Sequence, residues 1–188
     1  MSFHVNENIS NTLKGQYLLL DNDFLAVMFS DEKDYSYLVK LLASSYMVVD
    51  QLTVFEFLRD IYVPEQRQVR EKFIANDQLF LPTPKHSDIF SKIQDNALIL
   101  SKIYAHHRNK HGASPSLVDL FLAARVMLTR GKYLIITGNK RDYPNILFDT
   151  VEILTLESAD GSLQPFAVLK FNLKNFNELM GGLEALEK

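Results

Sequence analysis

Four acidic residues punctuate the chain where a hard cation and a phosphate ester could be handled together. Asp21 ends the apolar run Tyr17-Leu18-Leu19-Leu20, and Glu56 follows the run Tyr46-Met47-Val48-Val49 by a helical turn or so. Asp119 opens a long amphipathic segment, and Asp142 closes Ile135-Ile136-Thr137-Gly138-Asn139-Lys140-Arg141-Asp142. Carboxylates at the carboxyl ends of parallel strands converge in one cleft, and such a group repels itself unless a divalent cation is present. Each acid also has an ordinary explanation. Thr53 to Glu56 and Ser116 to Asp119 have the spacing of a capping box, and Asp142 before Tyr143-Pro144 fits a turn. Asp21 is the hardest to explain in that way, because it directly follows four apolar residues at a strand end.

Positioning these acids requires strands and helices in alternation, which is the pattern of an α/β protein with a parallel sheet. The strands read as about Tyr17–Asp21, Met47–Val49, Leu79–Leu81 (ended by Pro82), Tyr133–Thr137 and Val151–Leu156. A helix begins near Phe24. Another is predicted over Tyr35 to Ser44, with Leu38, Leu41 and Leu42 on one face. Thr53 opens a third, carrying Phe55, Leu58 and Ile61 inward, and Pro64 begins a charged one with Arg67, Arg70 and Lys72 on its exposed face. A long helix from about Ser87 has the inward stripe Ile89, Ile93, Leu100, Ile103 and Tyr104, and Gly112 stops it. Ser114-Pro115-Ser116 starts the next, with Leu117, Leu120, Phe121, Ala124 and Leu128 inward and Gly131 at its end. Asp160-Gly161 predicts a hairpin between Val151–Leu156 and Phe166–Phe171, adding an antiparallel strand. The last helix carries Phe176, Leu179, Leu183 and Leu186. Gly181-Gly182 weakens it, each mid-helix glycine costing about 1 kcal/mol.

Four segments, taken in order, resemble the PIN-domain nucleases over most of the chain. They are Leu20-Asp21-Asn22-Asp23-Phe24-Leu25, Leu52-Thr53-Val54-Phe55-Glu56-Phe57-Leu58, Ser116-Leu117-Val118-Asp119-Leu120-Phe121-Leu122-Ala123-Ala124 and Thr137-Gly138-Asn139-Lys140-Arg141-Asp142-Tyr143. The last is the most specific, a strand ending in threonine, then asparagine, then an aspartate and an aromatic. The resemblance implies a three-layer α/β/α fold with a mainly parallel five-stranded sheet plus the C-terminal antiparallel hairpin. It implies Asp21, Glu56, Asp119 and Asp142 as catalytic, metal-holding acids for Mg²⁺ or Mn²⁺, with Thr137 and Asn139 in support. Asp21 would be the central ligand, and Glu56 would orient a water or hold a second ion. Asp23 stands where the family usually has serine or asparagine, adding a fifth acid near the site. The chain is also longer than the compact toxin members, mainly through the 151–171 hairpin. The activity implied is hydrolysis of RNA phosphodiester bonds, often as the toxin of a toxin–antitoxin pair, with an antitoxin protein in the cleft and a homodimer as further partners.

The 188 residues suffice for one ordinary domain, read as a polar segment 1–16 followed by a single domain 17–188 that ends in the hairpin and helix of 151–188. The net charge of −3 gives no global attraction to nucleic acid, so any such binding needs a local basic patch. Lys140 and Arg141 before Asp142, with Arg108 and Lys110 in His106-His107-Arg108-Asn109-Lys110-His111, are candidates for RNA-backbone contact or plain solvated surface. The absence of cysteine removes disulfides, thiolate metal sites and cysteine nucleophiles, and fits a reducing compartment. The first sixteen residues lack the apolar core of a signal peptide, and no apolar stretch is long enough to span a bilayer, so no membrane partner and a cytoplasmic location are expected.

Two other functions remain open on the same residues. A PIN-like module could bind RNA or protein without cutting. Asp21-Asn22-Asp23 after an apolar strand is also similar to the haloacid-dehalogenase phosphatases, where the first aspartate is a nucleophile, but Phe24-Leu25-Ala26 replaces the threonine usual there. His107 and His111, four apart, could share a helix face as a zinc pair, but no third ligand is evident and a solvated helix end is the simpler reading. No glycine-rich phosphate loop, nucleophile elbow or zinc-protease motif is present.

Overall fold

A computed structural model describes residues 2–4, 8–30, 38–83, 87–111, 115–157 and 161–186; side chains are described for these residues except 2–4, 87, 88, 108–111 and 183–186. The apolar runs become β2 (Tyr17–Leu20), β3 (Tyr46–Val49) and β5 (Tyr133–Thr137), with the short β4 (Phe80–Pro82). They form a parallel array in the order β5-β2-β3-β4. The predicted hairpin is present as β6 (Phe148–Glu157) and β7 (Leu163–Phe171), paired antiparallel, and Gly161 takes a left-handed φ of 81° in its loop. Asp160 lies outside the described residues.

Among the described residues the sheet has seven strands, and with β1 (Ser2–His4) at one edge their order is β1-β6-β7-β5-β2-β3-β4. β7 runs antiparallel to both β5 and β6, so it stands between them, and β6 points the same way as the parallel strands without pairing with any of them. Five strands therefore share a direction, as expected. The parallel array itself holds four, because the hairpin folds back and inserts its second strand beside β5. The segment 1–16 supplies β1 (Ser2–His4), antiparallel to β6 at the edge, and α1 (Ile9–Thr12), whose Ile9 is buried.

Helices cover both faces, as the two-residue period of the strands dictates. Leu18, Leu20, Met47, Val49, Leu134 and Ile136 face a core shared with α2 (Asn22–Ser30) and α3 (Gln51–Arg59). Leu19, Val48 and Ile135 face the opposite core, against α5 (Ser87–His111), α6 (Leu117–Leu128) and α7 (Leu173–Leu186). In β6 the pairing shifts between Thr150 and Glu152. This bulge moves the even-numbered side chains from the face of Phe148 to the face of Leu154 and Leu156.

Several local expectations change. Residues 38–41 are helical with Leu38 and Leu42 buried, while the predicted start at Tyr35 lies outside the described residues, as do Gly112 and Ser114. Phe55 does not face inward but is 61% exposed, because Thr53, Phe57 and Leu58 take the buried stripe of α3. Leu117 is 67% exposed, since the buried face of α6 runs through Leu122, Ala123 and Val126. Arg70, on α4 (Pro64–Ile74), is not simply solvated: it donates to the Phe57 carbonyl at 2.8 Å and lies over the Phe57 ring at 4.6 Å. α7 continues through Gly181-Gly182. Among the described residues no helix is long and apolar enough to cross a membrane.

Candidate metal centre

β2 and β5 lie side by side in register, Leu20 opposite Ile136, and the Asp21 amide donates to the Ile136 carbonyl at 3.0 Å. The next pair up is Asp21 and Thr137, at the carboxyl ends of both strands. Asp21 is 6% exposed. Its Oδ1 accepts from the Asn22 amide at 2.7 Å and its Oδ2 accepts from the fully buried Thr137 hydroxyl at 2.7 Å. The Thr137 oxygen in turn accepts from the Asn139 amide at 2.9 Å, and the Asn139 side-chain amide donates to Asp142 Oδ2. A hydrogen-bonded line thus runs from Asp21 through Thr137 and Asn139 to Asp142, which ends the 3₁₀ turn Lys140–Asp142.

Asp119 enters from α6. The capping box predicted from Ser116 is present: the Asp119 amide donates to Ser116 Oγ at 3.2 Å, and Asp119 Oδ2 accepts from the Ser116 amide at 2.8 Å. The other oxygen, Oδ1, accepts from the Tyr143 hydroxyl at 3.2 Å. So the capping reading holds for this carboxylate, and its second oxygen is turned to Tyr143. At Glu56 the capping reading fails. The cap of α3 is Asp50, and Thr53 instead donates to the Leu20 carbonyl at 3.3 Å, tying the first turn of the helix to the end of β2. Glu56 is left half-buried on α3 with no capping duty.

The electrostatics join these groups. Burial, then the charges of Asp23 and Asp119, push Asp21 up to about 7. Burial and Asp119 push Asp142 up to about 6 against the pull of Arg141. Glu56 is raised by burial and by Asp119. Asp119 therefore bears on all three of the other expected acids. The phenols of Tyr143 and Tyr104 are raised by burial and by these same carboxylates, so both remain hydrogen-bond donors.

Asp23, expected as a fifth acid near the site, raises Asp21 by its charge and also has a structural task. Its Oδ1 accepts from the Phe24 amide at 2.6 Å and its Oδ2 from the Gly138 amide at 2.7 Å, which clamps the start of α2 to the end of β5. Lys140 and Arg141 are exposed beside a cleft of about 370 Å³ lined also by Tyr143, Pro144 and Asn145. The side chains of Arg108, Lys110 and His111 lie outside the described residues.

Sequence reasoning missed a second polar group nearby. Asp50 follows β3 as Asp21 follows β2, which was the available signal. It is buried, accepts from Leu52 and Thr83, and pairs with Arg125 of α6 at 2.7 Å. The tyrosine hydroxyls were missed too, because Tyr104 reads as part of an apolar stripe and Tyr143 as a turn aromatic.

An all-oxygen acidic set suits a hard ion in donor chemistry and in charge. Asn22 Oδ1, on the residue after Asp21, is the one buried side-chain polar atom without a hydrogen-bond partner among the described residues, and a bare carbonyl oxygen is a further donor of the right kind. The acids are nevertheless ranged rather than gathered: among the described residues no three acidic or histidine side chains stand close enough to enclose a cation. Compared with models of known protein families the chain matches none, and none of the curated proteins matches it.

Proposed function

We propose that the protein is a PIN-like, metal-dependent endoribonuclease in which Asp21, Glu56, Asp119 and Asp142 hold Mg²⁺ or Mn²⁺. One observation carries the reading. A hydrogen-bonded line from Asp21 through Thr137 and Asn139 to Asp142 joins the ends of β2 and β5, and Asp119 bears on both of those acids and on Glu56. Mutual repulsion of this kind, at the carboxyl ends of parallel strands, is offset by a bound cation. When bound, such an ion supplies positive charge for the phosphate and lowers the pKa of a water that attacks it.

The chain's own residues have distinct tasks. Thr137 and the Asn22 amide fix both oxygens of Asp21, and Asn139 links that carboxylate to Asp142. Lys140 and Arg141 supply local positive charge for an RNA backbone that a net charge of −3 would otherwise repel. An antitoxin segment and a second copy of the chain are the protein partners that go with this reading.

The ranged spacing of the acids favours, as a second reading, a PIN-like module that binds RNA or protein without cutting. The phosphatase reading has no such support, because both oxygens of Asp23, its acid–base candidate, accept backbone N–H groups.

The test is cleavage of single-stranded and structured RNAs with Mn²⁺ or Mg²⁺ by wild type and Asp21→Asn side by side. Metal-dependent cutting that falls by roughly 100-fold or more in the variant is expected, since even outer-shell partners of a metal site are worth about 10–100-fold. Folded protein that binds Mn²⁺ and RNA without cutting would favour the binding module. Equal cutting by both proteins would remove the chemistry from this site.

A further inference from the structure

Two tyrosines reach the acidic group from the core side. Tyr143, the residue after Asp142, is fully buried, and its hydroxyl donates to Asp119 Oδ1 at 3.2 Å. Tyr104 comes from α5, is also buried, and donates to the main-chain carbonyl of Asp142 at 2.7 Å. The rings alone do not require these hydroxyls. Tyr143 packs edge-on against Phe148, a contact phenylalanine would make equally well. A buried hydroxyl must find a partner, and each of these finds one on an acid of the proposed site.

The effect on Asp119 is specific. With Ser116 holding Oδ2 and Tyr143 holding Oδ1, each of its oxygens has a donor, and the carboxylate is fixed in direction. Tyr104 does the same for the peptide that carries Asp142. Repulsion between Asp119 and Asp142 works to part the two groups, and the tyrosines bond to both. We propose that the hydroxyls of Tyr143 and Tyr104 are positioning groups that fix the direction of the Asp119 carboxylate and the place of the Asp142 peptide at the proposed cation site. This role rests on the metal-dependent reading above. Outer partners that orient carboxylate ligands are worth about 10–100-fold in metal affinity or activity.

The experiment compares wild type with Tyr143→Phe, Tyr104→Phe and, as a control at the opposite end of β5, Tyr133→Phe. Three quantities are read: the thermal midpoint, Mn²⁺ affinity by isothermal titration calorimetry without RNA, and kcat and KM for RNA cleavage. Tyr143→Phe is expected to stay folded, to bind Mn²⁺ about 10-fold more weakly, and to lose kcat while KM for RNA holds. Tyr104→Phe should move the same quantities by less, and Tyr133→Phe should move none. Wild-type Mn²⁺ affinity and kcat in both site variants, while the wild type itself binds metal and cuts, would overturn the positioning role and leave the nuclease reading intact. Absence of Mn²⁺ binding by wild type would overturn both. Should Tyr143→Phe fail to fold, Tyr104→Phe decides alone, because it removes no donor from any carboxylate.

Discussion

At the end of β5 the Gly138 amide donates to Asp23 Oδ2 at 2.7 Å, and a Cβ built on Gly138 would stand 2.8 Å from that same oxygen and 3.2 Å from Phe166 Cε1. Phe166 belongs to the core and cannot retreat, so a larger residue must push Asp23 off its amide. The neighbouring residue is Thr137, whose hydroxyl fixes Asp21. Gly138→Ala is therefore expected to act twice. Overpacking should lower stability by about 1–3 kcal/mol in urea denaturation, and the displaced strand end should lower metal-dependent cleavage by roughly 10-fold. Normal stability with normal cleavage would mean that the Asp23 clamp has no bearing on Asp21. The acid at position 23 was legible in the sequence, but its task was not. An aspartate two residues past a strand end looks the same whether it faces a cation or a backbone amide, and only the approach of β5 decides between them.

Among elements, the unexpected link is the one between α3, β4 and α6. Asp50 caps α3 through the Leu52 amide at 2.9 Å, accepts from Thr83 just past β4 at 3.2 Å, and pairs with Arg125 at 2.7 Å. Since α3 carries Glu56 and α6 carries Asp119, this pair braces the two helices that bring those acids to the sheet. Removing one partner of a buried ion pair leaves the other charge uncompensated. Arg125→Met should accordingly cost ~3–5 kcal/mol of stability, and adding Asp50→Asn should restore part of it. A single-variant loss below about 1 kcal/mol in urea denaturation would count against the brace. The elements themselves were largely readable: β2, β3 and β5 from their apolar runs, α5 from its 3.6-residue stripe, the start of α6 from Ser116 to Asp119. The place of β7 was not, because strand alternation fixes which side chains face the core but not which neighbour the strand chooses. Phe55 was misassigned for a related reason: with Phe55, Phe57 and Leu58 all apolar, the buried stripe of α3 depends on where the helix begins, and that is set by Asp50.

For the whole molecule, the same acids couple stability to pH and, on the proposed reading, to metal. Asp21 titrates at about 7 and Asp142 at about 6 in the folded protein, both above their ordinary value of 3.8. Between the unfolded and folded values the folded state binds more protons than the unfolded state, so unfolding free energy falls as pH rises through that window. Below about pH 4 both groups are protonated in either state and add no slope; above about pH 7 the full penalty stands. Metal-free protein is thus expected to melt higher near about pH 5 than near about pH 7.5, and Asp142→Asn, which keeps an acceptor for Asn139, should flatten the part of the slope near about pH 6. On the proposed reading a cation binds the ionised acids, and only in the folded state. At a hundred times its dissociation constant it should add about 2.7 kcal/mol at neutral pH, and much less near about pH 5, where protons compete. Thermal melts across this range in chelator and in Mn²⁺ test both signs together. A metal-free profile that rises or stays flat from about pH 5 to 7.5, or a Mn²⁺ gain as large in acid as at neutrality, would show that these carboxylates do not repel one another as a cation site must.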